Sequence, residues 1–153
     1  MRHSKQKGFT YIELIMVVGL IGIILAFGMV MDMGSIGRSS VNQERDLFVS
    51  LLLSGARAKA MANVGGVSHG IHIDNDNHRY ILFEGDEYIE GHAGNRISPY
   101  TNEHITITHS DDAENIIFER LSGDVTEGVG ILTISGNNVE QNIGINAVGQ
   151  IDW

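Results

Sequence analysis

From Leu14 to Met31 the chain carries no charge, and only glycine interrupts its hydrophobes. At about 1.5 Å per residue, such a run is near the shortest helix that crosses a ~30 Å hydrocarbon layer. A second pattern runs from Ser39 to Asn63. Leu47, Leu51, Ser54, Ala58 and Met61 recur at spacings of three and four, and Phe48, Leu52 and Ala56 widen the stripe. Arg45, Asp46, Arg57 and Lys59 lie mostly off it, and Asn63-Val64-Gly65-Gly66 is a stop. Together these patterns predict one long helix over residues 9–63, with a membrane half (9–33) and an amphipathic, head-packing half (34–63). The alternative is two helices joined at Gly34–Gly37, where glycine weakens the helix.

After Gly66 the period changes to that of strands. Residues 67–73, 79–83, 104–108, 115–119, 130–134 and 139–145 are strand-like. Asp74-Asn75-Asp76-Asn77, Ser122-Gly123-Asp124 and Ser135-Gly136-Asn137-Asn138 supply turn chemistry between them. The irregular stretch 85–102 is expected to hold one or two short strands and the main surface loop, with Pro99 at its end. The predicted fold class is therefore α+β: a long N-terminal helix packed on an antiparallel β head over residues 64–153.

Charge sharpens this division. Arg2, Lys5 and Lys7 precede the apolar run with no acid among them, which keeps that end cytoplasmic and places the head outside the membrane. Beyond Ala58, four basic residues (Lys59, Arg79, Arg96, Arg120) face fifteen acidic ones. That balance argues against broad binding to nucleic-acid backbones, which requires clustered cations. With no cysteine, disulfides and thiolate metal sites are excluded. A cleaved secretory signal fits the basic start, but the apolar stretch is long for one and no A-x-A-like site follows it. A plain membrane anchor fits the length and leaves Glu13, a carboxylate at the mouth of the run, unexplained.

Lys7-Gly8-Phe9-Thr10-Tyr11-Ile12-Glu13-Leu14, followed by the apolar run, resembles the class III signal of type IV pilins and pseudopilins. The resemblance implies that a prepilin peptidase removes the leader 1–8 by cutting between Gly8 and Phe9, that Phe9 becomes N-methylated, and that the apolar segment is retained. Glu13 matches the family's glutamate, five residues into the mature chain. Gly8 lets a protease approach the backbone closely. The new amine at Phe9 can lie beside a Glu13 carboxylate in a staggered bundle, cancelling two charges and fixing register, the best-attested use of a buried polar pair. Gly19, Gly22 and Ala26 either permit close helix approach in such a bundle, Gly22 and Ala26 at a small-xxx-small spacing, or reflect the ordinary tolerance of glycine in membrane helices. The head adds a second resemblance. The helix stretch from Glu44-Arg45 to Ala62, with Ala56-Arg57-Ala58-Lys59-Ala60, the strand 67–73 and the ending from Ile143 through Gly149 to Ile151 are similar to the GspH/FimT minor pseudopilins.

These resemblances imply a structural filament subunit rather than an enzyme. Its partners would be other pilin or pseudopilin subunits, the prepilin peptidase, the inner-membrane assembly platform and, before assembly, membrane lipid. It would begin as a single-pass inner-membrane protein and end in a filament in the periplasm or at the cell surface. Two other readings stand beside this one: a tip subunit that captures DNA or another ligand, and an anchored β domain that never polymerises. Some FimT-like pilins take up DNA through basic residues near the C-terminus, and here the end reads Gly149-Gln150-Ile151-Asp152-Trp153, with no arginine. Trp153 is expected to pack onto the head. No catalytic constellation and no cofactor motif stand out. His69 and His72, three apart on a strand, should point to opposite faces. Asp74-x-Asp76-x-His78 offers oxygen ligands but lacks the glycine and downstream glutamate of a calcium loop, and reads as a solvated hairpin turn. Asp111-Asp112 and Gly85-Asp86-Glu87 read as solvated loops.

Overall fold

A computed structural model describes residues 10–30 and 33–153. The chain divides into two compact units, with the boundary between Met33 and Gly34, each taken here by itself.

In the first unit, helix α1 spans Tyr11–Val30, with Glu13 in its first turn. Every residue from Tyr11 to Leu25 is exposed, apolar on all sides of the helix apart from Glu13 and glycine. A helix that is hydrophobic all round belongs inside something larger than itself. Among the described residues no helix is long and apolar enough to cross a membrane. The apolar run read from the sequence continues to Met31, past the last residue of α1.

The second unit is a helix on two antiparallel sheets. Its helix begins as α2 (Met33–Ser50), passes through a π-helical segment (Leu51–Arg57) and ends as α3 (Ala58–Met61). Asn63, in the left-handed region at φ 55°, stops it, a role asparagine tolerates better than most residues. A 3-10 turn (Val64–Gly66) leads to the sheets. Strands β1 (His69–Asp74), β2 (Arg79–Glu84), β3 (Arg96–Pro99), β5 (Asn115–Phe118) and β6 (Val125–Glu127) form one sheet in the order β3-β2-β1-β5-β6. Strands β4 (Thr106–His109), β7 (Gly130–Gly136), β8 (Val139–Ile145) and β9 (Ile151–Asp152) form the other, in the order β4-β7-β8-β9. All six predicted strands are present, β3 falls in the irregular stretch, and the α+β class stands. Asn137 and Asn138, at φ 51° and 62°, make the two-residue turn between β7 and β8, where both central positions need positive φ. β6 begins immediately after residues read as a turn.

The core joins the helix to both sheets. Phe48, Leu52, Ala56 and Ala60 from the helix, Ile71 and Phe118 from the first sheet, and Leu132 and Ile143 from the second are all within 1 % of full burial. The buried helix residues are Val41, Glu44, Phe48, Val49, Leu52, Ala56 and Ala60. Phe48, Leu52 and Ala56 are thus inside as expected, and the rest of the expected stripe is corrected. Leu47 and Leu51 are half-buried, and Ser54, Ala58 and Met61 are exposed. The reason lies in the π segment. Residues 44, 48, 52, 56 and 60 are four apart, and four α-helical residues overshoot a full turn by about 40°. The wider π turn, marked by the Ala58 N–H bonding Leu53 O five residues back, returns the later positions to the same side.

Candidate functional site

The start of α1 carries the residue to which the sequence assigns an assembly role. The Glu13 N–H donates to Thr10 O at 3.1 Å and to Thr10 Oγ1 at 3.4 Å. In return, Thr10 N–H and Oγ1–H donate to Glu13 Oε2 at 3.3 and 3.4 Å. Thr10-x-x-Glu13 is thus a capping box, in which first-turn donors are satisfied reciprocally and the carboxylate sits at the positive end of the helix dipole. Glu13 is therefore not an idle charge even in a single chain. Gly8 and Phe9, the expected cleavage and methylation positions, lie outside the described residues.

A second carboxylate was overlooked at the sequence level. Glu44 is fully buried on the inner face of α2. Tyr80 Oη–H donates to Glu44 Oε1 at 2.6 Å, while Thr101 N–H and Oγ1–H donate to Oε2 at 2.7 and 2.5 Å. Three donors from sheet and connector replace the water that burial removes. Burial, and then the Glu44 charge, push the Tyr80 phenol far above its ordinary range, and the same two causes raise Tyr100. Tyr100 Oη–H continues the network to Asn75 Oδ1 at 3.0 Å, and Asn75 binds both polar groups of Ile107 in β4. Helix, first sheet and second sheet are stitched along this line. The sequence places Glu44 at the start of the stretch that resembles the minor pseudopilins, four residues before Phe48, but gives it no role of its own.

At the other end of the head helix, Arg57 reaches two turns. Its Nε–H donates to Gly123 O at 3.4 Å and its Nη2–H to Val148 O at 3.3 Å. Gly149, at φ 72°, packs against Gly123, where an added Cβ would collide with Gly123 O. These contacts give physical content to the arginine segment and the terminal glycine picked out in the sequence.

The histidine and aspartate candidates disperse. His69 Nε2 pairs with Val64 O at 2.9 Å in the interior, whereas His72 Nδ1 pairs with Asn115 Oδ1 at 2.9 Å and its ring stacks on Tyr88. Asp74 is taken up by Arg79 at 2.7 Å and by Asn77, and Asp76 is exposed. Burial alone would raise the Asp74 carboxyl, but the bonds from Arg79 and Asn77 outweigh it and hold it below the usual range. Among the described residues no group of three or more metal-ligating side chains is placed to hold an ion. Asp111, Asp112, Asp86 and Glu87 are exposed. A hollow of about 720 Å³ beside β5 and β6 is lined by Asp86, Glu119, Arg120 and Glu127, and it converges on no catalytic arrangement. Trp153 does not pack onto the head as expected. It is 60 % exposed beyond β9.

A helix packed on two antiparallel sheets is an α+β fold of the type IV pilin kind. Two crystal forms of the type IV minor pilin FimU from Pseudomonas aeruginosa share it. Their TM-scores are 0.59 and 0.54 at 14 % and 15 % identity, over 75 % of this chain and 88 % and 90 % of those chains. No family model and no curated protein matches the sequence.

Proposed function

We propose that this chain is a structural subunit of a type IV pilus-like or secretion pseudopilus filament, of the minor pilin or pseudopilin kind. One observation carries the reading. A head with the pilin fold follows, in the same chain, the stretch Lys7-Gly8-Phe9-Thr10-Tyr11-Ile12-Glu13 and its apolar helix. The leader 1–8 is removed between Gly8 and Phe9 by a prepilin peptidase, and Phe9 is methylated. The remaining apolar segment holds the subunit in the inner membrane, head outward, until it enters a bundle with other subunits at an assembly platform. Glu13 then neutralises an N-terminal amine and sets the axial register. No catalytic role and no cofactor belong to this reading.

Mass spectrometry of the mature N-terminus is the direct test. An N-methyl-Phe9 terminus is the expected result, and a chain still beginning at Met1 in cells with an active peptidase overturns the proposal.

A further inference from the structure

We propose that Leu51–Arg57 is a hinge whose π geometry is the closed state of a two-position joint, and that its opening releases Glu44 from the sheets. Three observations converge on it. Glu44, Phe48, Leu52, Ala56 and Ala60 are all buried at a strict spacing of four, and an unbroken α-helix would swing the last of them about 160° away from the first. The π turn is therefore what lets Glu44 meet Tyr80 and Thr101 while Ala60 still faces the interior. The sequence also carries a competing pattern: Leu47, Leu51, Ser54, Ala58 and Met61 follow the alternating spacing of four and three that suits an α-helix. Finally, Gly55 sits within the segment, where glycine weakens helix, and its bare Cα accepts Leu82, whose Cδ2 would lie 2.4 Å from an added Cβ.

Two registers are thus written into one helix. Relaxing the segment toward α turns the upstream residues by about 100° for each residue of register and carries Glu44 away from its three donors. The latch and the π turn open as one event, because neither geometry survives without the other. The joint is a property of the single chain and does not depend on the filament reading, so an unassembled chain decides it.

Hydrogen exchange on the full chain in detergent micelles is the test. The amides of Ala56, Arg57 and Ala58 should exchange at least tenfold faster than those of Leu47–Ser50. Thr101→Val should speed them severalfold more, leaving Leu132 and Ile143 in the second sheet unchanged. Deleting Ser54 restores α spacing and should bring the three amides to the level of their neighbours. Equal protection along the wild-type helix overturns the proposal. So does a Thr101→Val chain in which Ala56–Ala58 do not respond, whether or not the deletion variant folds.

Discussion

Glu13 serves two ends that substitution can separate. A capping box accepts glutamine in place of glutamate, so Glu13→Gln keeps the helix start and removes the charge. Thr10→Val does the reverse, and loss of an N-cap costs about 0.5–2 kcal/mol. If the carboxylate pairs with an amine during assembly, Glu13→Gln should be inserted and processed normally yet enter filaments poorly, as read from sheared filament fractions. Thr10→Val should mainly speed amide exchange over Tyr11–Leu14. Wild-type filament yields from Glu13→Gln would leave capping as the whole role. Glu44 makes a different demand. Glu44→Ala strands the Tyr80 Oη–H in the interior, at roughly 1–3 kcal/mol, while both donors of Thr101, an exposed residue, turn to water, and thermal melting should show a clear fall. Tyr80 and Tyr100 add a pH limit. Their folded ionisation lies above the ordinary tyrosine value of 10.0, so the unfolded chain loses these protons first. Their contribution is complete below pH 10.0 and is lost as the pH climbs beyond it. Alkaline melts of the wild type should therefore fall above that point, with Tyr80→Phe showing a shallower decline.

Elements were more legible than the joints between them. The strands around Ile71, Ile81, Ile107, Ile117, Leu132 and Ile143 announced themselves by alternation, and the Asn137-Asn138 turn by its residue types. The head helix was also legible, and Phe48, Leu52 and Ala56 lie on its inner face as the pattern suggests, but the centre of that face does not run through Leu47, Leu51, Ser54, Ala58 and Met61. A 3.6-residue period was applied to a chain that changes period at Leu51, and nothing local in Leu-Leu-Leu-Ser-Gly-Ala-Arg declares a π turn. β6 was invisible because three residues are too few to show a period, and its pairing with β5 is broken by a register shift at Ile117/Phe118. Glu44 escaped for the same reason as the π turn, since a carboxylate reads as surface until the face is known. Gly149 and Gly123 show the reverse case, a turn glycine whose packing role only the fold reveals. Gly149→Ala would place a methyl against Gly123 O in a left-handed backbone. The backbone penalty alone is about 1–2 kcal/mol. Denaturant unfolding should lose at least that, with faster exchange over 119–125 and 146–151.

At the scale of the molecule, charge and packing sort the roles. Helix α1 is exposed on every side from Tyr11 to Leu25, and the chain beyond Ala58 carries fifteen acids against four basic residues. Two of the head's cations are engaged within the fold, Arg57 by Gly123 O and Val148 O and Arg120 by Gly66 O. The full chain should therefore give no shift of duplex DNA in a gel at physiological salt. A salt-sensitive shift there would move the reading toward a ligand-capturing tip subunit.

The pairing of β1 with β5 has a consequence in time. His69 meets Phe118 across nearly fifty residues of intervening chain, and contacts this distant in sequence form slowly. Until β5 arrives, β1, β2 and β3 form a meander with one edge of β1 open, and that edge runs through His69, Gly70, Ile71 and His72. A nascent head would thus pass through an interval in which a bare edge can capture a neighbour's strand. Holding each chain by its helix before the head is complete would keep those edges apart, so the order of synthesis itself becomes a safeguard against aggregation.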